Sequence, residues 1–183
     1  MDIGDIMNLR IVYMGTPAFG LPTLEALYNS YDVVGVVCQP DKPGSRGEVK
    51  YSPIKDFALS HNIGVFQPAN IKEDYKEILD VKPDIIITCA YGQIIPKEML
   101  DYPKYGCINI HASLLPKLRG GAPIHHAIID GYDKTGVTIM YMVMKMDAGS
   151  IIAQESIPIL ESDNVGTLHD KLSVCLLYTS PSP

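Results

Sequence analysis

Hydrophobic and polar positions alternate along the chain in blocks. Short apolar runs of strand length are separated by polar or amphipathic stretches, several of them of helix length. The first run, Arg10–Met14 (RIVYM), ends at Gly15, and Leu21–Asn29 then reads as a helix with Pro22 tolerated in its first turn. Val33–Cys38 (VVGVVC) predicts a second strand. Ser52-Pro53 supplies a good N-cap and first helical position for a helix running to about His61. Gly64–Phe66 predicts a brief strand and Lys72–Leu79 a charged amphipathic helix. Asp84–Ala90 (DIIITCA) and Cys107–His111 (CINIH) are near-continuous apolar runs, as strands buried on both faces should be. Ala122–Asp130 predicts a helix stopping at Gly131, and Val137–Met144 and Ile151–Ile157 predict two further strands joined by a turn at Asp147–Ser150. This alternation predicts an α/β fold, a mostly parallel sheet covered by helices on both faces.

In such sheets ligands bind outside the carboxyl ends of the strands. That rule selects Gly15–Gly20, the loop from Gln39, Tyr91–Pro96, His111–Gly121 and Lys145–Ser150 before any motif is weighed. Composition narrows the chemistry. The 183 residues suit one domain, and 46% apolar content supports a real core. A net charge of −6 argues against a globally basic nucleic-acid module, although local basic patches survive such averaging. No run of about 18 apolar residues occurs, so no membrane span is expected, and the opening MDIGDIMNL lacks a signal peptide's apolar centre. Cys38, Cys89, Cys107 and Cys175 form no Cys-x-x-Cys pair, so no metal is expected. They read instead as buried thiols in a reducing cytoplasm.

Gly15-Thr-Pro-Ala-Phe-Gly20 sits where a phosphate loop would, between a strand and a helix. It matches neither G-x-G-x-x-G nor a P-loop, which disfavours NAD and ATP. A tight turn and a substrate contact remain equally open for it. Asn109 and His111, two apart on one strand, point to the same face near its exit. A lone histidine is usually structural, but an amide and an imidazole aligned at the end of an apolar strand are candidates for catalysis. The segment Ser113–Ile124 follows at once, dense in Pro and Gly. Asp147-Ala-Gly149 is either a local Asx-type turn or a carboxylate returned to the same rim.

Taken together, Asn109-Ile-His111-Ala-Ser-Leu-Leu-Pro116 and Asp147-Ala-Gly149 resemble the folate-dependent formyltransferase superfamily. Arg119-Gly-Gly-Ala-Pro-Ile124 narrows the resemblance to its methionyl-tRNA formyltransferase branch. So do Met14–Gly20, Gln39-Pro-Asp-Lys-Pro43 followed by Arg46-Gly47, and Ser52-Pro-Ile-Lys55. The match runs from about Leu9 to Leu172. It implies a Rossmann-like catalytic domain over residues 7–172 that moves the formyl group of 10-formyltetrahydrofolate to the amine of initiator methionyl-tRNA. Two other readings are a formyltransferase acting on a sugar or nucleotide amine, and a folate-binding fragment without turnover.

The resemblance implies roles residue by residue. Asn109 and a protonated His111 would donate to the developing oxyanion, and Asp147 would hold the imidazolium and orient a proton-relaying water. The reduced folate would lie against Tyr91, Gly92, Gln93, Ile94 and Ile95 and against Ser113, Leu114, Leu115 and Pro116. Lys42, Arg46 and Lys50 are the candidates for tRNA phosphates, with a solvated surface as the plain alternative. A cytoplasmic monomer is expected. Family members carry a further C-terminal barrel domain for tRNA, expected to be absent here. Residues 173–183 (SVCLLYTSPSP) are rich in breakers and read as an aberrant or truncated tail, non-helical beyond its first residues.

Overall fold

The computed structural model of the chain describes residues 8–42 and 50–179, the side chains of 176–179 excepted. It divides into two units, Met1–Cys107 and Ile108–Pro183. The first holds four strands: β1 (Arg10–Gly15), β2 (Asp32–Val37), β3 (Val65–Phe66) and β4 (Ile85–Cys89). β1 is central, parallel to β2 on one side and to β4 on the other, and β3 pairs parallel to the far edge of β2. Val12, Tyr13 and Met14 are fully buried, which is why this run shows no polar alternation.

Four helices belong to this unit: α1 (Leu21–Ser30), α2 (Pro53–Ser60), α3 (Lys76–Asp80) and α4 (Lys97–Asp101). Each buries an apolar anchor, Leu24, Ile54, Ile78 and Met99 in turn, and burying such a side chain stabilises by roughly 1.5–3 kcal/mol. The expected cap of α2 is present, with Ser52 Oγ accepting the Lys55 N–H at 3.1 Å. The Gly15–Gly20 turn is a packing device. The Tyr13 hydroxyl donates to the Gly20 carbonyl at 2.9 Å. A Cβ at residue 20 would stand 2.0 Å from that hydroxyl, so only glycine fits.

Two differences from the sequence pattern have local causes. The helix expected over Lys72–Leu79 begins only at Lys76, because Asn70 organises a turn of its own. Its carbonyl accepts the N–H groups of Glu73 and Asp74, and its side-chain amide donates to Glu73 at 2.9 Å. α4 escaped the sequence pattern because its five residues offer too few apolar repeats to register as a helix.

The second unit contains β5 (Cys107–His111, its first residue in the first unit), β6 (Lys134–Tyr141), β7 (Ile151–Pro158), α5 (Pro123–Ile129) and α6 (Val165–Thr179). The mostly parallel arrangement expected of the sheet is present, with β1 to β4 running parallel. β6 runs antiparallel to both β5 and β7, and its short connection to β7 makes a hairpin rather than a parallel crossover. β7 is exposed along most of its length.

The expectation that the chain leaves helical geometry soon after Leu172 is overturned. α6 continues through Thr179, with Leu168 and Leu172 fully buried and Ser173 and Cys175 also buried. Leu168, Leu172 and Cys175 extend one apolar stripe at helical spacing. Residues 180–183, which hold the Ser-Pro breakers, lie outside the described residues. The helix starts from a reciprocal cap: Asn164 Oδ1 accepts the Thr167 N–H, and Thr167 Oγ1 accepts the Asn164 N–H, both at 3.0 Å. Among the described residues, no helix is long and apolar enough to cross a membrane. All four cysteines are free and buried. Burial pushes the thiols of Cys89 and Cys107 up to about 12.

Candidate active site

β5 ends in His111, and the antiparallel register sets it opposite Thr138 of β6, with Asn109 opposite Met140. Asn109 is half-buried and His111 buried. One end of the His111 ring is held and the other faces a carboxylate. Its Nε2–H donates to the Leu118 carbonyl at 2.8 Å, and its Nδ1 faces Asp147 Oδ1 at 3.8 Å. Both side chains of that pair are nearly enclosed, 9% and 8% exposed. The second carboxylate oxygen, Oδ2, accepts the Gly120 N–H at 2.8 Å. Asp147 is therefore no local Asx turn: its carboxylate reaches across the unit to the loop after β5.

The β6–β7 turn is built to deliver that carboxylate. Asp147 adopts a left-handed backbone, φ 49°, which a non-glycine residue accepts only under tertiary constraint. Gly149 allows the turn to close, since a Cβ there would lie 1.7 Å from the Tyr141 carbonyl oxygen. On the other side, Leu118 (φ 54°), Gly120 (φ 86°) and Ala122 (φ 55°) are left-handed too. These turns aim the Leu118 carbonyl and the Gly120 N–H at the His111–Asp147 pair.

The Ser113–Pro116 segment is shaped largely by side chains from elsewhere. Thr138 Oγ1 donates to the Ser113 carbonyl at 2.6 Å and accepts the Leu115 N–H at 3.1 Å. Gln154 of β7 donates to the Leu115 carbonyl at 2.9 Å and to Thr138 Oγ1 at 2.8 Å. The Ser113 hydroxyl is turned inward and donates to the Lys117 carbonyl at 2.7 Å. Ser113 and Leu115 are buried, Leu114 half-buried and Pro116 exposed. Thr138 and Gln154 were not singled out in the sequence. The only trace of them is a threonine inside an otherwise apolar strand and a glutamine on its exposed neighbour.

The remaining candidates lie in the first unit. Tyr91 and Ile95 are buried, Gln93 is half-buried, Gly92 is exposed, and Ile94 is 57% exposed. This loop exposes one apolar side chain, Ile94, beside the backbone of Gly92. The Tyr91 hydroxyl is buried with no hydrogen-bond partner among the described residues. Desolvation, reinforced by Cys38, pushes its phenol up to about 12. The loop is tied down by side chains. Gln39 Nε2 donates to the Tyr91 carbonyl at 2.9 Å, and Gln93 Oε1 accepts the Ile71 N–H at 2.9 Å. Lys42 and Lys50 are exposed, while Arg46 lies outside the described residues. Among the described residues, no group of His, Cys, Asp and Glu could hold a metal ion.

The formyl transferase family matches residues 9–174. A methionyl-tRNA formyltransferase of Bacillus subtilis strain 168 is 59% identical over 169 residues, spanning 90% of this chain and 53% of that protein. One from Geobacillus sp. strain WCH70 is 58% identical over 170 residues, spanning 91% and 54%. The chain thus spans about half the length of the curated relatives it matches. Among solved structures, a phosphoribosylglycinamide formyltransferase from Bacillus halodurans superposes with a TM-score of 0.76 at 28% identity, covering 90% of this chain and 88% of that one.

Proposed function

We propose that this chain, which belongs to the formyl transferase family, carries the formyl-transfer chemistry of an enzyme that formylates methionyl-tRNA from 10-formyltetrahydrofolate. The observation that carries the reading is the enclosed His111–Asp147 pair at the end of β5, with Asn109 two residues back on the same strand. The relatives named for this activity support the choice of acceptor over a sugar or nucleotide amine.

The reduced folate supplies the formyl group. The chain's own residues then have three tasks. Acyl transfer to an amine builds negative charge on the formyl oxygen, and donors fixed in advance lower that barrier. The Asn109 amide takes that role. His111 gives its Nε2–H to Leu118, so Nδ1 is the ring atom left to face the reaction. At 3.8 Å from Asp147 it is beyond hydrogen-bond distance and keeps freedom to turn toward substrate or water. Asp147, fixed by the Gly120 N–H, faces the ring and orients the water that takes the amine's proton. In the first unit Tyr91, Gly92, Gln93, Ile94 and Ile95 are the candidates for contact with the reduced folate, and in the second Ser113, Leu114, Leu115 and Pro116 are. With the Ser113 hydroxyl directed inward and the backbone of Ser113 and Leu115 bonded to Thr138 and Gln154, that second segment would contribute mainly through Pro116. Lys42, Arg46 and Lys50 would contact tRNA phosphates.

Incubation of the chain with 10-formyltetrahydrofolate and methionyl-tRNA should yield formylmethionyl-tRNA. Asn109→Ala should slow it roughly 100-fold or more, the usual loss for one oxyanion donor. An unchanged rate removes Asn109 from the chemistry. Preferential formylation of glycinamide ribonucleotide or an amino sugar rejects the acceptor.

A further inference from the structure

Gln39 follows β2 directly, and all of its hydrogen-bonding groups are spent on the exits of other strands. Its N–H donates to Thr16 Oγ1 after β1 at 3.1 Å. Its carbonyl accepts Gln67 Nε2 after β3 at 3.0 Å. Its side-chain Nε2 donates to the Tyr91 carbonyl after β4 at 2.9 Å, and its Oε1 accepts Gln93 Nε2 at 3.3 Å. One glutamine thereby bridges the carboxyl ends of all four strands of the first unit. Gln67 is fixed in turn, since it donates to Asp41 at 3.0 Å and accepts from Lys55 at 2.8 Å. Lys55 also pairs with Asp41. A surface glutamine spends its amide on water. This one spends its amide on protein partners, with a charged pair anchoring the partner of its carbonyl.

We propose that Gln39 is a positioning residue for the folate-facing loop, setting the backbone of Tyr91–Ile95 through its side-chain amide. This rests on the reading that the loop binds reduced folate. Gln39 acts through Tyr91 and Gln93 and needs no contact with the ligand. Its amide fixes the Tyr91 carbonyl, and its hold on Gln93 fixes the side chain that ties the loop to Ile71. Without it, the loop must order itself on binding, and that cost appears as lost affinity.

The test is calorimetric titration of the 183-residue chain with 5-formyltetrahydrofolate, a stable reduced folate, alongside Gln39→Leu and Gln39→Glu. Gln39→Leu should bind at least about tenfold more weakly. A folded Gln39→Leu chain binding within about twofold of wild type overturns the proposal and leaves the folate reading standing. Failure of the wild type itself to bind overturns both. Gln39→Glu covers the case in which the leucine variant does not fold, and it gives a readout that a merely structural role would not move. A neutral carboxyl can still donate to the Tyr91 carbonyl, whereas a carboxylate repels it. Its affinity should therefore recover toward wild type as the buffer goes from about pH 7 down through the ordinary carboxyl range to about pH 4. The charged and titratable groups around it, Cys38, Asp41, Lys55 and Tyr91, are common to both chains, so the difference between their pH profiles isolates residue 39. Identical profiles overturn the proposal.

Discussion

Two threonines of β6 invite one substitution with opposite outcomes. Thr138 is fully buried, and its hydroxyl bonds the Ser113 carbonyl, the Leu115 N–H and the Gln154 amide. Thr135 is 2% exposed, and its hydroxyl has no hydrogen-bond partner among the described residues. Valine has the shape of threonine, so neither change opens a cavity. Thr138→Val strands a backbone carbonyl and a backbone N–H, while Gln154 can turn to water. At about 1–3 kcal/mol for each of the two stranded groups, the loss is roughly 2–6 kcal/mol. A chain of this size loses about 2–4 °C of melting temperature per kcal/mol, so the midpoint should fall on the order of 10 °C. Thr135→Val removes an orphan hydroxyl and should leave the midpoint unchanged or raise it slightly, by at most about 1 kcal/mol. Thermal unfolding followed by circular dichroism, with urea titration as a second probe, separates the two. Equal midpoints for both variants would refute the claim that Thr138 holds the loop after β5.

Further outcomes are expected elsewhere. Replacing Lys42 and Lys50 together by Ala should flatten the salt dependence of methionyl-tRNA binding by on the order of one unit of log–log slope; an unchanged slope assigns both lysines to solvated surface. Lys171 donates to both carboxylate oxygens of Asp163 and the Leu160 N–H to one of them, which holds that carboxyl down at about 2. A lowered carboxyl stabilises the fold above its unfolded value of about 3.9 and loses that contribution as pH falls through its folded value. Asp163→Asn should therefore cost stability at neutral pH and make the acid loss between about pH 4 and pH 2 shallower, as read by urea midpoints. Cys89 and Cys107, whose thiols are pushed up to about 12 by burial, should resist iodoacetamide at neutral pH until the chain is unfolded. Rapid labelling of either in the native chain contradicts their burial.

The central strand of the first unit was legible in sequence because full burial leaves an unbroken apolar run, as at Ile11–Met14. The hairpin of β6 and β7 was legible from its short turn, whereas the antiparallel pairing of β6 with β5 was not, because an apolar run carries no direction. The path of α6 was misread for a different reason. Leu168, Leu172 and Cys175 continue its stripe, but Ser173 and the nearby Ser-Pro pairs read as breakers when taken one residue at a time. Asn109, His111 and Asp147 could be nominated from strand periodicity and a turn. The bond from Gly120 to Asp147 could not, since it depends on left-handed backbone at Leu118, Ala122 and Asp147, none of them glycine. Gln39, too, is visible only in three dimensions, because its partners come from three other strand exits.

The hold of Thr138 and Gln154 on the loop after β5 bears on protein engineering. Ser113-Leu-Leu-Pro116 is a compact string that a motif search finds easily, yet its backbone is dictated by β6 and β7. Transplanted alone onto another α/β scaffold, those letters would carry no instruction for the shape they take here. The smallest portable part is the three-strand block from β5 to β7 with its turn, and a library diversifying the loop should hold residues 138 and 154 constant.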